Sequence, residues 1–168
     1  CIHMNIAIFD LKPWEKKLFK ASLAKHKLTF FTEPIQEVNL KKLAKVECVT
    51  AFITSKIDKS VIASLPALKV IATRSTGFDH IDVEEAKERG IEVLNVPSYG
   101  ENTVAEHAFA LILTLSRNIH KAYLRTKKNN FTIEGLKGFD LHGKTMGVVG
   151  AGKIGSHVIR IARGFGMN

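Results

Sequence analysis

The sequence predicts an α/β protein built around a doubly wound parallel sheet, and two observations carry that prediction. Five short apolar runs of strand length recur about every 21 residues, the length of one strand, one helix and two short loops. A glycine-rich turn at 150–155 follows a further run of this kind. Together they predict a flavodoxin-like sheet of five strands, then a linking helix and the first β-α unit of a Rossmann domain.

The five runs are rich in β-branched and aromatic residues. Their apolar positions fall on both faces, as in parallel strands that are covered by helices on either side. Right-handed crossovers between them give a doubly wound sheet within residues 4–100. The predicted strands are Ile6–Phe9, Leu28–Phe31, Val49–Ile53, Val70–Thr73 and Ile91–Leu94.

Start signals for helices stand between these strands. Pro13 suits the first position of a helix, because its missing N–H would have no partner there. Asp58 precedes a predicted helix over Ser60–Leu65, and Asp82 with Glu85 has the spacing of a capping box. The connections therefore alternate with the strands in repeated β-α units.

The pattern changes after residue 100. Thr103 and Glu106 have capping-box spacing ahead of a helix that is apolar on all sides, which predicts burial on both faces between two domains. A strand over Thr145–Val149 and a helix over Ile154–Phe165 follow. A second β-α system therefore begins near the end of the sequence.

The glycine-rich turn has the G-x-G-x-x-G spacing of a dinucleotide-binding site. Gly150 permits a tight turn, Gly152 lets the backbone approach a pyrophosphate, and Gly155 lets the helix pack closely on its strand. Free N–H groups at the start of the helix favour an anion there. The alternative is a turn with a purely structural purpose.

The same stretch also matches the start of a nucleoside-triphosphate loop. Gly147 to Lys153 reads G-x-x-x-x-G-K, but the next residue is Ile154, which has no hydroxyl to offer to Mg²⁺. Kinase or ATPase chemistry is therefore not predicted.

Two polar loops follow the fourth and fifth predicted strands, at the sheet edge where open α/β sheets bind ligands. Arg74–Asp79 brings hydroxyls, a glycine and backbone N–H groups that could hold a small carboxylate. Asn95–Gly100 adds the phenol of Tyr99 to the same edge. The alternative is that both loops serve turn geometry only.

Composition and charge exclude several classes of protein. The net charge of +9 is spread over lysines on several amphipathic stretches, without aromatic interleaving or a DNA-reading motif, so no nucleic-acid partner is expected. No apolar run is long enough to span a membrane. The histidines lack metal-ligand spacing, so no metal site is expected.

The cysteines indicate a reduced compartment. Cys1 and Cys48 do not make a disulfide framework, so the cytoplasm is the expected location. Cys1–Met4 resembles an expression scar ahead of a native start at Met4.

Taken together, these motifs resemble the D-isomer-specific 2-hydroxyacid dehydrogenase family, especially its NAD-dependent D-lactate type. The order and spacing of the matching stretches are specific, and they reach about the first half of what the family contains. The matching stretches are 73–82, 95–99, 103–107 and 143–145 together with the glycine-rich turn.

The resemblance assigns residues 4–100 to a flavodoxin-like substrate domain, and 101–168 to the linking helix and the truncated start of the NAD-binding Rossmann domain. Family members hold the substrate carboxylate through backbone amides, line the substrate pocket with an aromatic residue and bind the cofactor at the glycine turn. The implied substrate-binding residues are Ser75, Thr76, Gly77 and Tyr99, and the implied cofactor-binding residues are Val104, Gly150, Gly152, Lys153, Ile154 and Gly155.

The chemistry implied is hydride transfer between NAD(H) and a small D-2-hydroxy acid or 2-keto acid, such as lactate and pyruvate. The family's catalytic Arg, Glu and His lie beyond the glycine turn, so no catalytic residue is assigned in these 168 residues. The chain alone is expected to be inactive and to bind NAD weakly. Its C-terminal segment is expected to form a homo-oligomer or to fold back on the first domain.

Two other classes stay open. One is a flavodoxin-like binding or engineered module without catalysis, although the segment Asp10–Lys12 lacks the phosphate loop that FMN would need. The other is a nicotinamide-sensing partner protein of the same family.

Overall fold

The computed structural model describes residues 3–168, which form two units, the first ending at Tyr99 and the second comprising Gly100–Asn168. The predicted expression scar, Cys1–Met4, lies partly outside this range, since Cys1 and Ile2 are not among the described residues.

A five-stranded parallel sheet forms the centre of the first unit. Its spatial order is β2-β1-β3-β4-β5, which is the flavodoxin-like order and confirms the predicted fold class. Ile6 of the first strand lies opposite Leu28 on one side and Cys48 on the other. The strands are β1 Asn5–Ile8, β2 Lys27–Phe30, β3 Cys48–Ala51, β4 Val70–Thr73 and β5 Glu92–Leu94.

The strand boundaries and the burial of the edge strands differ from the prediction. Strand β3 ends at Ala51, because the chain already turns at Phe52. Alternate residues of β2 and β5 are exposed, including Thr29 and Glu92. Each of these strands has a neighbour on one side only, so helices cover it less completely than they cover the central strands.

Three helices lie in the connections of the first unit: α1 Glu15–Ser22, α2 Lys59–Ala63 and α3 Val83–Glu88. The first helix starts two residues after Pro13, with Trp14 at its N-cap. The connection from β2 to β3 holds only two 3₁₀ turns, Ile35–Glu37 and Leu40–Leu43, so the repeated β-α unit is incomplete there.

The predicted N-caps of α2 and α3 are present. The Asp58 carboxylate accepts the N–H groups of Ser60 and Val61, each at 3.0 Å. The Asp82 carboxylate accepts the N–H of Glu85 at 3.0 Å, so this half of the predicted capping box is confirmed. The other half is wrong, because the Asp82 N–H donates to the carbonyl oxygen of Ile57.

The buried Glu85 carboxylate instead pairs with two cations. Its oxygens lie 2.9 Å from Nζ of Lys59 and 2.5 Å from Nε of Arg89. The hydrogen bond and charge of Lys59, followed by those of Arg89, lower the pKa of Glu85 below its ordinary value of 4.5.

Glu85→Gln is expected to lower the free energy of unfolding at pH 7. It is also expected to make that free energy fall less steeply as the pH is lowered. A carboxylate with a lowered pKa stabilises the folded state above about pH 4.5, and this contribution disappears as the pH falls through the lowered pKa. Thermal unfolding followed from neutral pH downwards measures both effects. Glu84→Gln, at an exposed neighbour, is the control, and an acid profile of Glu85→Gln equal to that of the unsubstituted chain contradicts the prediction.

Apolar side chains cover both faces of the sheet. On one face, Phe9, Val49 and Ile71 are fully buried, and the Phe9 ring stacks on Phe31 at 4.8 Å between centroids. The other face carries a smaller cluster around Ile8, against which residues of α1 pack. Burial on both faces holds the strand ends, and hence the loops that follow them, in a defined arrangement.

The second unit contains three helices: α4 Glu101–Ser116, α5 Ile119–Thr126 and α6 Lys153–Gly164. Helix α4 packs on α6 through a cluster that includes Phe109 and Ala162. It begins at Glu101, so Thr103 and Glu106 lie within its first turns and do not form the predicted capping box. Burial on all sides is also wrong, because Leu115 remains 70% exposed.

The predicted strand over Thr145–Val149 is not formed. The carbonyl oxygen of Lys144 accepts the N–H of Asn168 at 2.8 Å. The carbonyl oxygen of Asn168 in turn accepts the N–H of Met146, also at 2.8 Å. This is the pattern of a parallel neighbour, but it is limited to a single residue. A strand exists only where a neighbouring segment pairs with it, and no longer pairing partner occurs among residues 3–168.

Two features are not found among the described residues. None of the helices in 3–168 combines the length and apolar composition that crossing a bilayer requires. No three His, Cys, Asp or Glu side chains in this range gather closely enough to hold a metal ion.

Candidate functional site

The three carbonyl groups at 75–77, in the loop after β4, all accept hydrogen bonds, two of them from the loop after β5. The carbonyl oxygen of Ser75 accepts the N–H of Val96 at 3.0 Å, and that of Thr76 accepts the side-chain amide of Asn95 at 2.7 Å. The carbonyl oxygen of Gly77 accepts the Ser75 hydroxyl at 2.7 Å. The predicted substrate residues 75–77 thus form one ordered turn at the carboxyl edge of the sheet.

The same turn leaves backbone donors unused. Among residues 3–168, no group accepts a hydrogen bond from the N–H of Thr76 or of Gly77. Both residues are exposed. Adjacent N–H groups without acceptors, next to carbonyls that are all occupied, favour an anionic ligand over a cationic one.

Gly77 is not required by the conformation of the turn. A Cβ at this position would meet only Oδ2 of Asp79, at 3.6 Å, which is an ordinary contact. The absence of a side chain instead leaves the two N–H groups open to a ligand.

Arg74, which precedes the turn at 75–77, contacts the end of β1 and helix α1. Its Nη2 donates to the carbonyl oxygens of Phe9 at 3.0 Å and Asp10 at 3.2 Å, and its Nε lies 3.3 Å from Oε1 of Glu15. The guanidinium also lies over the Phe19 ring, 5.6 Å from its centroid. These contacts direct the Arg74 charge toward β1 and α1, so Arg74 supports the loop.

Asp10 joins the ends of β1 and β3. It is buried, with a left-handed backbone (φ +53°), and its two carboxylate oxygens accept the N–H of Phe52 and the hydroxyl of Thr54, each at 2.8 Å. Together with the bonds from Arg74 to the backbone, this buried carboxylate ties three strand ends together.

Tyr99 stands at the end of the first unit. Its side chain is 61% exposed, and it belongs to the loop whose first residues, Asn95 and Val96, bond to the turn at 75–77. The structure thus brings Ser75, Thr76 and Gly77 together with the start of the loop that carries Tyr99.

The predicted cofactor residues all lie in the second unit. Gly150 has φ +91°, a conformation that L side chains rarely adopt. A Cβ at Gly155 would overlap the carbonyl oxygen of Gly150, whereas a Cβ at Gly152 would meet nothing within 4 Å. The turn is therefore tight at Gly150 and Gly155 and open at Gly152.

Helix α6 starts directly after this turn. Its first backbone bond is from the N–H of Ser156 to the carbonyl oxygen of Gly152, at 2.8 Å, and no side chain caps the helix. The N–H of Ile154 therefore stays available at the positive end of the helix dipole. Lys153 is exposed, with its Nζ 3.9 Å from Oε1 of Glu101 at the start of α4, and Val104 is exposed on the same helix.

These features fit a dinucleotide phosphate in charge and in space. A diphosphate needs N–H donors, a nearby cation and room for close approach to the backbone, and the turn provides each of these in Ile154, Lys153 and Gly152.

Sequence reasoning missed the polar residues that shape the turn at 75–77. Asn95, Thr73 and His80 all contribute hydrogen bonds there, although the histidines showed no metal-ligand or catalytic spacing. A signal was present in the clustering of small polar residues around the end of β4. The hydrogen-bond partners could not be inferred, because the Asn95 side chain donates to the carbonyl oxygen of Thr76, 19 positions away.

Comparisons with known proteins agree with this geometry. Residues 6–152 match the family model described as D-isomer specific 2-hydroxyacid dehydrogenase, catalytic domain. The chain is 42% identical over 169 residues to a 2-hydroxyacid dehydrogenase homolog of Haemophilus influenzae, covering 98% of this chain and 51% of the relative. It is 40% identical over 168 residues to a D-lactate dehydrogenase of Escherichia coli, covering 98% and 51%.

Solved structures give the same result. A D-lactate dehydrogenase from Aquifex aeolicus, complexed with NAD and lactic acid, superposes with a TM-score of 0.92 at 35% identity, covering 97% of this chain and 49% of that one. The apo-structure of D-lactate dehydrogenase from Escherichia coli has a TM-score of 0.81 at 40% identity, covering 98% and 54%. The chain spans about half the length of the relatives it matches. On the extent of these matches, the chain belongs to the D-isomer specific 2-hydroxyacid dehydrogenase family of oxidoreductases.

Proposed function

We propose that the protein transfers a hydride between NAD(H) and a small D-2-hydroxy acid or 2-keto acid, such as lactate and pyruvate. The observation that carries the proposal is the turn at 75–77, where the N–H groups of Thr76 and Gly77 have no acceptor and every carbonyl is occupied. A substrate carboxylate satisfies both donors at once. The family membership supports the same substrate class, as do the NAD and lactic acid bound to the Aquifex aeolicus relative.

The remaining site residues take roles that follow from their chemistry. Ser75 holds the turn, and Tyr99 offers an aromatic wall for the short substrate. When bound, the nicotinamide cofactor supplies or accepts the hydride. The amide of Ile154 and the ammonium of Lys153 would hold its diphosphate at the turn that Gly150, Gly152 and Gly155 shape, and Val104 would contact the nicotinamide.

The 168 residues on their own are proposed to bind ligands weakly and not to turn over. No residue among these 168 is assigned as the donor of a proton to the keto group. NADH oxidation with pyruvate, followed by absorbance, tests this. Steady turnover by the chain contradicts it.

Gly77→Ala tests the carboxylate site. The added Cβ meets only Asp79 Oδ2 within the chain, so the fold should be kept. It stands beside the two open N–H groups, so we expect the affinity for pyruvate to fall by about 10-fold or more. Titration followed by the backbone amide signals of Thr76 and Gly77 measures the affinity.

Gly164→Ala is the matched control, because its Cβ meets nothing within 4 Å and the residue lies in the second unit. It should leave the affinity for pyruvate unchanged. Equal affinities for the Gly77 and Gly164 variants would show that the turn is not the carboxylate site.

We also propose that the chain forms a homo-oligomer through its C-terminal segment. The second unit leaves several large apolar side chains in water, which is costly on a monomer. These side chains include Leu115, Tyr123, Leu124, Phe131 and Ile133, of which Ile133 is 85% exposed.

Light scattering tests the oligomer. We expect a dimer or larger species, and we expect the double variant Phe131→Ser, Ile133→Ser to shift it toward monomer. Ile53→Ser, at an exposed apolar residue of the first unit, is the control and should leave the mass unchanged. A monomeric parent chain contradicts the proposal.

A cytoplasmic location is proposed on the state of Cys48. This thiol is unpaired, and burial raises its pKa to about 11, so it stays protonated and unreactive at neutral pH. Such a cysteine is typical of proteins in a reducing compartment.

A further inference from the structure

Three side chains form a chain of hydrogen bonds behind the turn at 75–77. Nε2 of His80 lies 3.1 Å from Oγ1 of Thr73, which lies 2.6 Å from Oγ of Ser75. The Ser75 hydroxyl in turn lies 2.7 Å from the carbonyl oxygen of Gly77. Thr73 and Ser75 are buried, with 4% and 3% of their surface exposed.

The last acceptor determines the direction of every bond in this chain. A carbonyl oxygen has no proton, so the single hydroxyl proton of Ser75 is donated to Gly77. The short contact between the two hydroxyls then requires the proton of Thr73, which is donated to Ser75. Oγ1 of Thr73 has no further proton, so Nε2 of His80 must carry one and donate it.

The surroundings of His80 are consistent with a neutral ring that carries its proton on Nε2. Burial lowers the pKa of His80, while the carboxylates of Asp10 and Asp79 act in the opposite direction. The carbonyl oxygen of His80 accepts the N–H of Ile57 at 2.8 Å, which ties its backbone to the neighbouring segment.

We propose that His80 is a positioning residue for substrate binding, acting through Thr73 and Ser75. The bond from the Ser75 hydroxyl to the carbonyl oxygen of Gly77 closes a ring that contains the N–H groups of Thr76 and Gly77, and so holds the turn in the conformation that presents both groups. This inference rests on the proposed carboxylate site. The imidazole does not touch the ligand; it supplies the first proton donor of a cooperative chain that ends at the turn.

The bonds to the loop after β5 do not close this ring. They hold the peptide groups that carry the N–H groups of Thr76 and Gly77 from outside the turn, whereas the Ser75 hydroxyl makes the one bond, among the described residues, to the carbonyl of Gly77 and closes the turn from within. Without a donor to Thr73, its hydroxyl can rotate away from Ser75, and the buried chain loses its defined direction.

The test uses the isotope-labelled chain and three substitutions. His80→Phe removes the donor, Thr73→Val interrupts the chain with a side chain of similar shape, and His80→Gln supplies an alternative N–H donor. We expect the first two to lower pyruvate affinity by about 5- to 10-fold, and the third to stay within about 2-fold of the parent. Thr29→Val, at an exposed threonine of β2, is the matched control for Thr73→Val.

The nitrogen chemical shifts of His80 provide a readout that needs no ligand. We expect Nε2 to be protonated and Nδ1 to be unprotonated at neutral pH. We also expect the amide signals of Thr76 and Gly77 to move in His80→Phe and Thr73→Val, with those of β1 unchanged, which separates a local effect from misfolding.

The outcomes separate the two claims. If the parent chain shows no pyruvate-dependent change at Thr76 and Gly77, the proposed carboxylate site fails, and the inference fails with it. If pyruvate binds but affinity is unaltered by His80→Phe and Thr73→Val, or if Nε2 of His80 carries no proton, the positioning role alone is overturned.

Discussion

Gly155→Ala is expected to detach α6 from the glycine turn and to abolish NADH binding by the chain. The new Cβ would overlap the carbonyl oxygen of Gly150 and lie 3.0 Å from its carbonyl carbon. Both are backbone atoms of a residue at φ +91°, so neither can move without opening the turn. We expect the packing of α6 on the glycine turn to be destabilised by about 1–3 kcal/mol.

Hydrogen exchange and a fluorescence titration measure the two effects. The amides of Lys153–Gly164 should exchange faster in Gly155→Ala, and the NADH signal should be lost. Gly152→Ala is the control, because its Cβ meets nothing within 4 Å. It should preserve the slow exchange of α6 and still weaken NADH binding, since the phosphate approaches the backbone there. Slow exchange in both variants would contradict the packing argument.

Asp10→Ala is expected to destabilise the first unit by about 3–5 kcal/mol. The substitution removes a buried carboxylate that accepts two hydrogen bonds, from the N–H of Phe52 and the hydroxyl of Thr54, each worth about 1.5–3 kcal/mol to a charged acceptor. It also places alanine in a left-handed conformation, which costs about 1–2 kcal/mol. These contributions are not fully additive, because the N–H of Phe52 and the hydroxyl of Thr54 can form hydrogen bonds with water in the variant.

Asp10→Asn separates the hydrogen bonds from the backbone strain. Asparagine tolerates φ +53°, and its amide oxygen can still accept the N–H of Phe52, so we expect a loss of only about 1 kcal/mol. Urea unfolding followed by fluorescence measures both variants, because Trp14 is the only tryptophan and lies in the first unit. Equal stability of the alanine and asparagine variants would contradict this account.

Asp10→Ala should also affect the carboxylate site. Arg74 donates to the carbonyl oxygens of Phe9 and Asp10, so loosening the end of β1 removes support from the loop that starts at Arg74. We expect weaker pyruvate binding in Asp10→Ala than in Asp10→Asn, with pyruvate titration as the measurement.

Much of the fold could be predicted because its signals are local. The spacing of five apolar runs predicted the parallel sheet, and the Asp58 and Asp82 side chains cap helices as their positions indicated. The start of α4 was misjudged, because Gly100 ends the preceding loop and lets the helix begin at Glu101, before the capping-box residues. The spacing of Thr103 and Glu106 occurs by chance inside a helix.

The segment Thr145–Val149 illustrates the limit of strand prediction. Its composition is that of a buried strand, yet Val149 is fully exposed and the pairing stops at one residue. Apolar composition describes what a strand needs, whereas hydrogen bonds to a neighbour decide whether it forms.

Short-range patterns in the amino-acid order were sufficient for the α/β class, for a polar loop at 74–79 and for the positions of the three glycines, because turns, caps and helix spacing depend on neighbours within a few residues. Which backbone groups of the turn at 75–77 form hydrogen bonds within the chain was decided by the tertiary structure. Asn95 reaches Thr76, and Val96 reaches Ser75, because β4 and β5 lie side by side. Contacts between loops about 20 residues apart occupy the carbonyls of Ser75 and Thr76, whereas the N–H groups of Thr76 and Gly77 have no acceptor among residues 3–168.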